Sequence, residues 1–429
     1  MAIIKEVAKN KNYKIINNNN FFELLPLDQI PNKLKYVSLK KDLCDFDTQR
    51  YMIILELTRA CNQNCRYCFI SEINKKEKLK LKSNSEKNID KLIDQISKTN
   101  YHFTIVFHGG EPLLKKELIK YTIKKINSAG LSTKVRFGLQ TSGYNLTDDF
   151  VKYAQKNDVN IGVSIDSLSD GLRDPKMGIN ALEILKQNNL PIGLICIINK
   201  SNQDKLFNNF KTLVKKHKIK GILFNCLYHK NSDYLPNLSI VKKEIEKIID
   251  YLLKNNLKIS IDPLKMFAER LSGQFSSLCY DGGCGGFKRI LAYSVEGKFY
   301  PCDSFVDNPA YKQDVFNFSH FLDKRTKILQ KATKIRNKLK CNDCKYNFIC
   351  IGPCVGKLSI YGNKTNLAKF ICEYEKLWLE LLFKKILNNP VNLKVFKGDF
   401  RIKKQNRVES YLVPPADFQI TNYLKKGQI

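Results

Sequence analysis

Cys61, Cys65 and Cys68 stand at C-x3-C-x2-C spacing directly after the apolar run Met52-Ile53-Ile54-Leu55-Glu56-Leu57. Three thiolates on one tight loop can hold three irons of a cubane cluster. A four-iron four-sulfur cluster needs four ligands, so this loop would leave one iron open to a small molecule. Zinc is the alternative for closely spaced cysteines, but a structural zinc site wants a fourth Cys or His at similar spacing, and residues 69–101 contain neither. A second field holds Cys279, Cys284, Cys302, Cys341, Cys344, Cys350, Cys354 and Cys372, enough for two complete four-cysteine sets. Two zinc ribbons would favour two C-x2-C pairs, and only Cys341 and Cys344 form one.

The elements that must carry these residues are legible from residue 52 onward. Short β-branched or aromatic runs at 52–57, 103–107, 134–139, 159–165, 192–198 and 221–225 alternate with segments of helical period. Ile89, Leu92, Ile93 and Ile96 share one helix face; Leu118, Ile119, Ile123 and Ile126 share another, and Gly130 caps that helix. Six βα units demand a parallel sheet with right-handed crossovers and suit a partial (βα)6 barrel. In such folds the chemistry gathers at the C-terminal ends of the strands. The cysteine loop follows strand one, Gly109-Gly110-Glu111 follows strand two, Gln140-Thr141-Ser142-Gly143 follows strand three, Ser164-Ile165-Asp166 ends strand four and Asn199 ends strand five.

The 429 residues suffice for one large domain and one or two smaller ones, and 43% hydrophobic content suits a globular chain. There is no apolar h-region at the start and no apolar run of about 18 residues, so a cytoplasmic protein without a membrane partner is expected. Fourteen cysteines in a long chain of this kind point to metal or redox chemistry rather than disulfides. The net charge of +32 is spread through Lys- and Asn-rich segments such as Asn17-Asn18-Asn19-Asn20, a pattern of codon bias more than of one nucleic-acid-binding face. An acidic leader peptide would still suit it.

The cysteine spacing, Tyr67 before the third cysteine, and His108-Gly109-Gly110-Glu111-Pro112 together resemble the radical S-adenosylmethionine (SAM) superfamily. The resemblance implies that the open iron chelates SAM and that one electron releases a 5'-deoxyadenosyl radical, which abstracts a hydrogen from substrate. It also implies SAM contacts from Gly109, Gly110 and Glu111, with Tyr67, Ser164 and Asp166 in the same site. The Glu111 carboxylate would accept from the SAM amino group. For Ser164 and Asp166 an ordinary strand-end cap is the other reading. Arg173 either pairs with the SAM carboxylate or faces solvent.

The second field, with C-x2-C-x5-C-x3-C at Cys341 to Cys354, resembles the SPASM domain of radical SAM peptide and protein maturases. This implies one four-iron cluster on Cys279, Cys284, Cys302 and Cys354 and another on Cys341, Cys344, Cys350 and Cys372, three clusters in all. With four protein ligands each, the accessory pair would carry electrons, and Asp303 beside Cys302 either takes the proton as a base or caps the turn that carries Cys302. The expected division is an N-terminal extension over 1–50, the barrel over 51–272, the SPASM segment over 273–375 and a C-terminal extension over 376–429. Residues 1–50 read as poorly patterned and too few for a winged-helix leader-binding domain.

The function expected is oxidative modification of a ribosomally made peptide, by an intramolecular thioether or carbon–carbon crosslink, with flavodoxin or ferredoxin as electron donor. An anaerobic sulfatase-maturating enzyme forming formylglycine is the alternative, since Tyr300-Pro301-Cys302-Asp303 resembles that subfamily. From another class, a basic zinc-containing nucleic-acid binder would use both charge and cysteines, but only the run from Lys394 to Arg407 interleaves basic and aromatic residues. A radical SAM enzyme acting on RNA is a further option.

Overall fold

The computed structural model describes residues 4–9, 13–18, 21–26, 50–68, 70, 82–271, 278–347, 349–361, 365–389 and 391–397. Cys44 and most of the basic run after Lys397 lie outside them. Strands β1 (Ile4–Lys9), β2 (Tyr13–Asn18) and β3 (Phe21–Pro26) form an antiparallel sheet in that order. The sequence carries no clear pattern there.

Seven parallel strands come next: β4 (Arg50–Thr58), β5 (His102–Gly109), β6 (Val135–Thr141), β7 (Val159–Ser164), β8 (Gly193–Ile198), β9 (Gly221–Cys226) and the short β10 (Ser260–Asp262). The first six are the strands expected from the sequence, within three residues at each end. Three-residue β10 carries too little apolar pattern to be read from sequence. On β4 the pleat separates the faces: Ile53, Leu55 and Leu57 are fully buried against the helix layer, while Met52, Ile54 and Glu56 are only half-buried on the opposite face.

Helix α1 (Glu86–Ser97) starts where the Ser85 side chain accepts a hydrogen bond from the Asn88 amide, and it buries Ile89, Leu92, Ile93 and Ile96. Helix α2 (Lys116–Ser128) buries Ile119, Ile123 and Ile126, and Gly130 follows it at φ +70°, the left-handed conformation glycine supplies without strain. Helices α3 (Asp148–Lys156), α4 (Lys176–Gln187), α5 (Leu206–His217) and α6 (Leu238–Lys254) complete the crossovers, and α7 (Leu264–Leu271) follows β10.

The sheet does not stop at β4. Strand β11 (Ile290–Tyr293) pairs with β4 in parallel, Ile290 beside Met52 through Tyr293 beside Leu55, and β12 (Phe299–Tyr300) turns back against β11. The order is therefore β10-β9-β8-β7-β6-β5-β4-β11-β12, with β4 interior. Asn84 ties this junction, its Nδ2 donating to the carbonyls of Glu56 and Ser294 at 3.0 and 3.1 Å. Beyond it come α8 (Phe318–Lys338), α9 (Val355–Ile360), α10 (Thr365–Asn388) and α11 (Asn392–Lys397). Helix α10 lies against α6 and α7, and its Trp378 stacks on Phe224 of β9. Among the described residues no helix is long and apolar enough to cross a membrane.

Candidate active site

Three rim segments fold onto one another around Cys61, Cys65 and Cys68. The first contact is backbone on backbone. The Gly110 amide donates to the Thr58 carbonyl at 2.6 Å and the Glu111 amide to the Ala60 carbonyl at 2.8 Å. A Cβ on Gly109, at φ +128°, would lie 2.3 Å from the Thr58 oxygen, and one on Gly110 would lie 2.1 Å from the Ala60 oxygen. Only glycine lets β5 approach the strand end that launches the cysteine loop.

Glu111 closes this corner and is 1% exposed. Its Oε1 accepts from Thr141 Oγ1 at 2.6 Å and from the Leu113 amide at 3.0 Å, and its Oε2 accepts from the Ser142 hydroxyl at 2.6 Å and amide at 2.9 Å. Four protein donors use the lone pairs expected on a carboxylate, so the side chain binds the β5 rim to the β6 rim.

The second contact comes from β7. Tyr67 donates to Asp166 Oδ2 at 2.5 Å, Arg173 Nε donates to the Tyr67 oxygen at 3.1 Å, and the Ile197 amide donates to Asp166 Oδ1 at 3.1 Å. Burial pushes the Asp166 carboxyl up despite the opposing charge of Arg173. Arg173 does not face solvent: it is tucked under the cysteine loop over the Tyr67 ring, and the Arg66 amide bonds the Leu172 carbonyl at 3.1 Å. Ser164 accepts from Gln140 Nε2 at 2.8 Å, a strand-to-strand tie. Asn199 turns the β8 rim, its amide donating to Asn202 Oδ1.

The three loop thiols lie within each other's electrostatic reach, and burial raises the Cys65 thiol to about 12. Such thiols keep their protons in water and surrender them to iron. Among the described residues no three His, Cys, Asp or Glu side chains converge closely enough to hold a single metal ion. Three thiols on a loop backed by a glycine cradle fit a cubane, whose ligands are spread around its corners. The residues present therefore fit a four-iron cluster with one open position.

The second field sorts into two fours. Cys302 is influenced by Cys354, Cys284 and Cys279, while Cys372 is influenced by Cys341 and Cys344 and Cys350 by Cys372 and Cys341. Backbone amides at Gly286 and Gly352 donate to the Cys284 and Cys350 sulfurs at 3.4 and 3.3 Å.

Sequence reading missed Arg59. It is 4% exposed, its Nε donates to Glu56 at 3.1 Å and its Nη2 to Asp307 at 2.7 Å, so it pins the end of β4 to the segment after Cys302. Burial would loosen its proton, but Asp307 and Glu56 outweigh that and hold it more firmly. A lone Arg before the first cysteine carries no signal of this in one dimension. An open cleft of about 450 Å³ lies at this junction, lined by Glu56, Arg59, His108, Gly109, Asp303 and Asp307 among others. Asp303 Oδ1 accepts from the Ser304 amide at 2.9 Å, which fixes the carboxylate on the cleft wall. Cys226, outside both cysteine fields, is buried near Glu375 and Lys357.

Residues 55–211 match the family model for the radical SAM superfamily, and the chain is an enzyme carrying that domain. It is 23% identical to the radical SAM cyclopropyl synthase TigE of Paramaledivibacter caminithermalis over 78% of this chain and 74% of that one. It is also 23% identical to a cysteine-type anaerobic sulfatase-maturating enzyme of Clostridium perfringens, over 80% of this chain and 99% of that enzyme. Among solved structures, native anSMEcpe with bound AdoMet and Cp18Cys peptide superposes with a TM-score of 0.67 at 18% identity, covering 80% of this chain and 99% of that one. That likeness is one of fold. A radical SAM domain implies SAM and a four-iron four-sulfur cluster as cofactors.

Proposed function

We propose that the chain is a cytoplasmic maturase that abstracts a hydrogen from a ribosomally made peptide and oxidatively modifies it, as an intramolecular thioether or carbon–carbon crosslink. The observation that carries the reading is the shared cleft: Asp303, next to a thiol of one quartet, faces the same space as His108 and Gly109 of the barrel rim. When bound to the loop thiolates, the cluster and SAM supply a 5'-deoxyadenosyl radical that takes a hydrogen atom from substrate. Gly109 and Gly110 bring β5 against the strand end that launches the cysteine loop, and so shape the rim where the methionyl end of SAM would lie. The Tyr67, Asp166 and Arg173 group holds the cysteine loop in register. Asp303 is placed to take the proton that leaves as the substrate radical is oxidised, and Cys279, Cys284, Cys302 and Cys354 would hold a cluster that could accept the electron. In this reading each quartet holds a four-iron cluster, and flavodoxin or ferredoxin primes the enzyme.

Formylglycine formation is the second reading, supported by similarity that spans nearly the whole of a sulfatase-maturating enzyme. Both readings are two-electron oxidations: a crosslink, or formylglycine from Ser, leaves the product lighter by two hydrogens, whereas formylglycine from Cys also exchanges the sulfur, lost as sulfide, for a water oxygen. Asp303→Asn keeps the size and the turn hydrogen bond but not the base. The expected outcome, by mass spectrometry on the cognate peptide, is retained iron and SAM cleavage with little finished product; normal product yield sinks the catalytic role.

A further inference from the structure

Helix α8 is a charged outlier even in this basic chain. Its 21 residues hold Lys324, Arg325, Lys327, Lys331, Lys334, Arg336 and Lys338 against one acid, Asp323. The wheel sorts these cations onto opposite sides. Arg325 and Arg336 are eleven positions apart, so they share a face. Both point inward, Arg325 Nη1 donating to the carbonyls of Cys284 and Gly286, and Arg336 Nη1 to the carbonyl of Cys350 at 3.2 Å. One helix thus touches a cysteine of each quartet.

Lys327, Lys331, Lys334 and Lys338 fall on the outward face, each exposed, in a stripe about 16 Å long at 1.5 Å per residue. None of the four has an acidic partner among the described residues. Lys331 alone is engaged, over the Tyr311 ring at 5.2 Å. Because Lys327 and Lys338 repeat the eleven-residue spacing of the two arginines, the stripe runs from one quartet to the other. Beneath it, Ile328 packs on Ala292, Tyr300, Phe305, Tyr311 and Val355, and Ile54 and Val306 of the cleft wall border the same apolar layer. Helix α8 thus packs on the same apolar layer that borders the cleft, while its lysines are exposed.

We propose that the outward face of α8 is the docking surface for an acidic one-electron carrier protein. The proposal rests on the reading that the quartets hold redox clusters. In that reading the electron that a quartet cluster would receive from the substrate radical would pass on to the oxidised carrier, the cluster being reoxidised as the carrier is reduced, with no proton required. A peptide substrate would need its charge read beside the cleft. A carrier needs it over the clusters, a helix diameter of about 10 Å away. Such a surface speeds encounter and weakens with salt.

The test measures binding of oxidised flavodoxin, an acidic carrier, to the full-length reconstituted protein by fluorescence anisotropy from low to high salt. The quadruple variant K327E/K331E/K334E/K338E is expected to bind about ten-fold more weakly at low salt, with a flattened salt dependence. The Lys→Gln version should lose less in the same direction, which also guards against a misfolded charge-reversed variant. As a control for net charge alone, K87E/K91E/K124E/K156E reverses four exposed lysines elsewhere and should change affinity less than about two-fold. Equal losses in both sets, or unchanged flavodoxin binding in the α8 set, overturn the proposal. So does a loss confined to peptide or RNA binding. Absence of iron and sulfide from the quartets would sink the function reading instead, and iron analysis reports that separately from the anisotropy.

Discussion

Glu111 is held at the rim by protein donors alone among the described residues. Four donors converge on its carboxylate, and an amide in its place would present its own N–H groups to two of them. Glu111→Gln should cost about 2–3 kcal/mol of stability, the range for leaving buried donors unmatched, measured by urea denaturation. Arg59 and Arg173 teach the complementary lesson. Each side chain is buried and paired, yet in one dimension each stands among loop residues where an arginine ordinarily faces water. The cysteines and glycines were legible because metal ligation and close backbone approach leave spacing rules in the chain. Ion pairs between segments leave none, since Arg59 and Asp307 lie far apart in sequence.

Elements turn those residues into a site by docking backbone on backbone. Gly110→Ala would drive a methyl into the Ala60 carbonyl. The expected result is a folded protein that has lost about four irons from the catalytic loop while the quartets keep theirs, read by iron analysis and circular dichroism. A second element, the β10–α7 corner, carries a pH dependence. Burial raises Asp262 to about 6 and Glu269 to about 7, Lys265 opposing both, and Glu269 Oε2 has no hydrogen-bond partner. Raised carboxyl values mean that the folded state binds these protons more tightly than the unfolded chain. Stability from this corner is thus full below about pH 4 and falls as pH rises through 6 to 7. Denaturant unfolding across that window should show the decline, and Glu269→Gln should flatten part of it. The six main strands could be read from short β-branched or aromatic runs between helical segments, whereas β10 and β11 were too short to announce themselves and were set by the sheet they joined.

At the scale of the molecule, the eleven cysteines of the loop and the two fours predict about twelve irons with matching sulfide after anaerobic reconstitution. Replacing Cys61, Cys65 and Cys68 together by Ala should leave about eight and abolish release of 5'-deoxyadenosine. Stoichiometric zinc without sulfide would overturn the iron assignment. The cysteines of the second field stand out in the sequence, and the family resemblance implies their grouping, but the attachment of that region to the barrel left no mark in one dimension. That attachment, β11 hydrogen-bonded along β4, bears on how the chain can be divided. A fragment ending at residue 271 would leave the strand that leads into the catalytic loop with one row of amides and carbonyls bare to water. Such an edge invites pairing with any extended chain nearby. The barrel cut loose from the cysteine-rich region should therefore aggregate during expression, and a chimera that exchanges that region for another must bring its own strand to lie beside Met52 to Leu55.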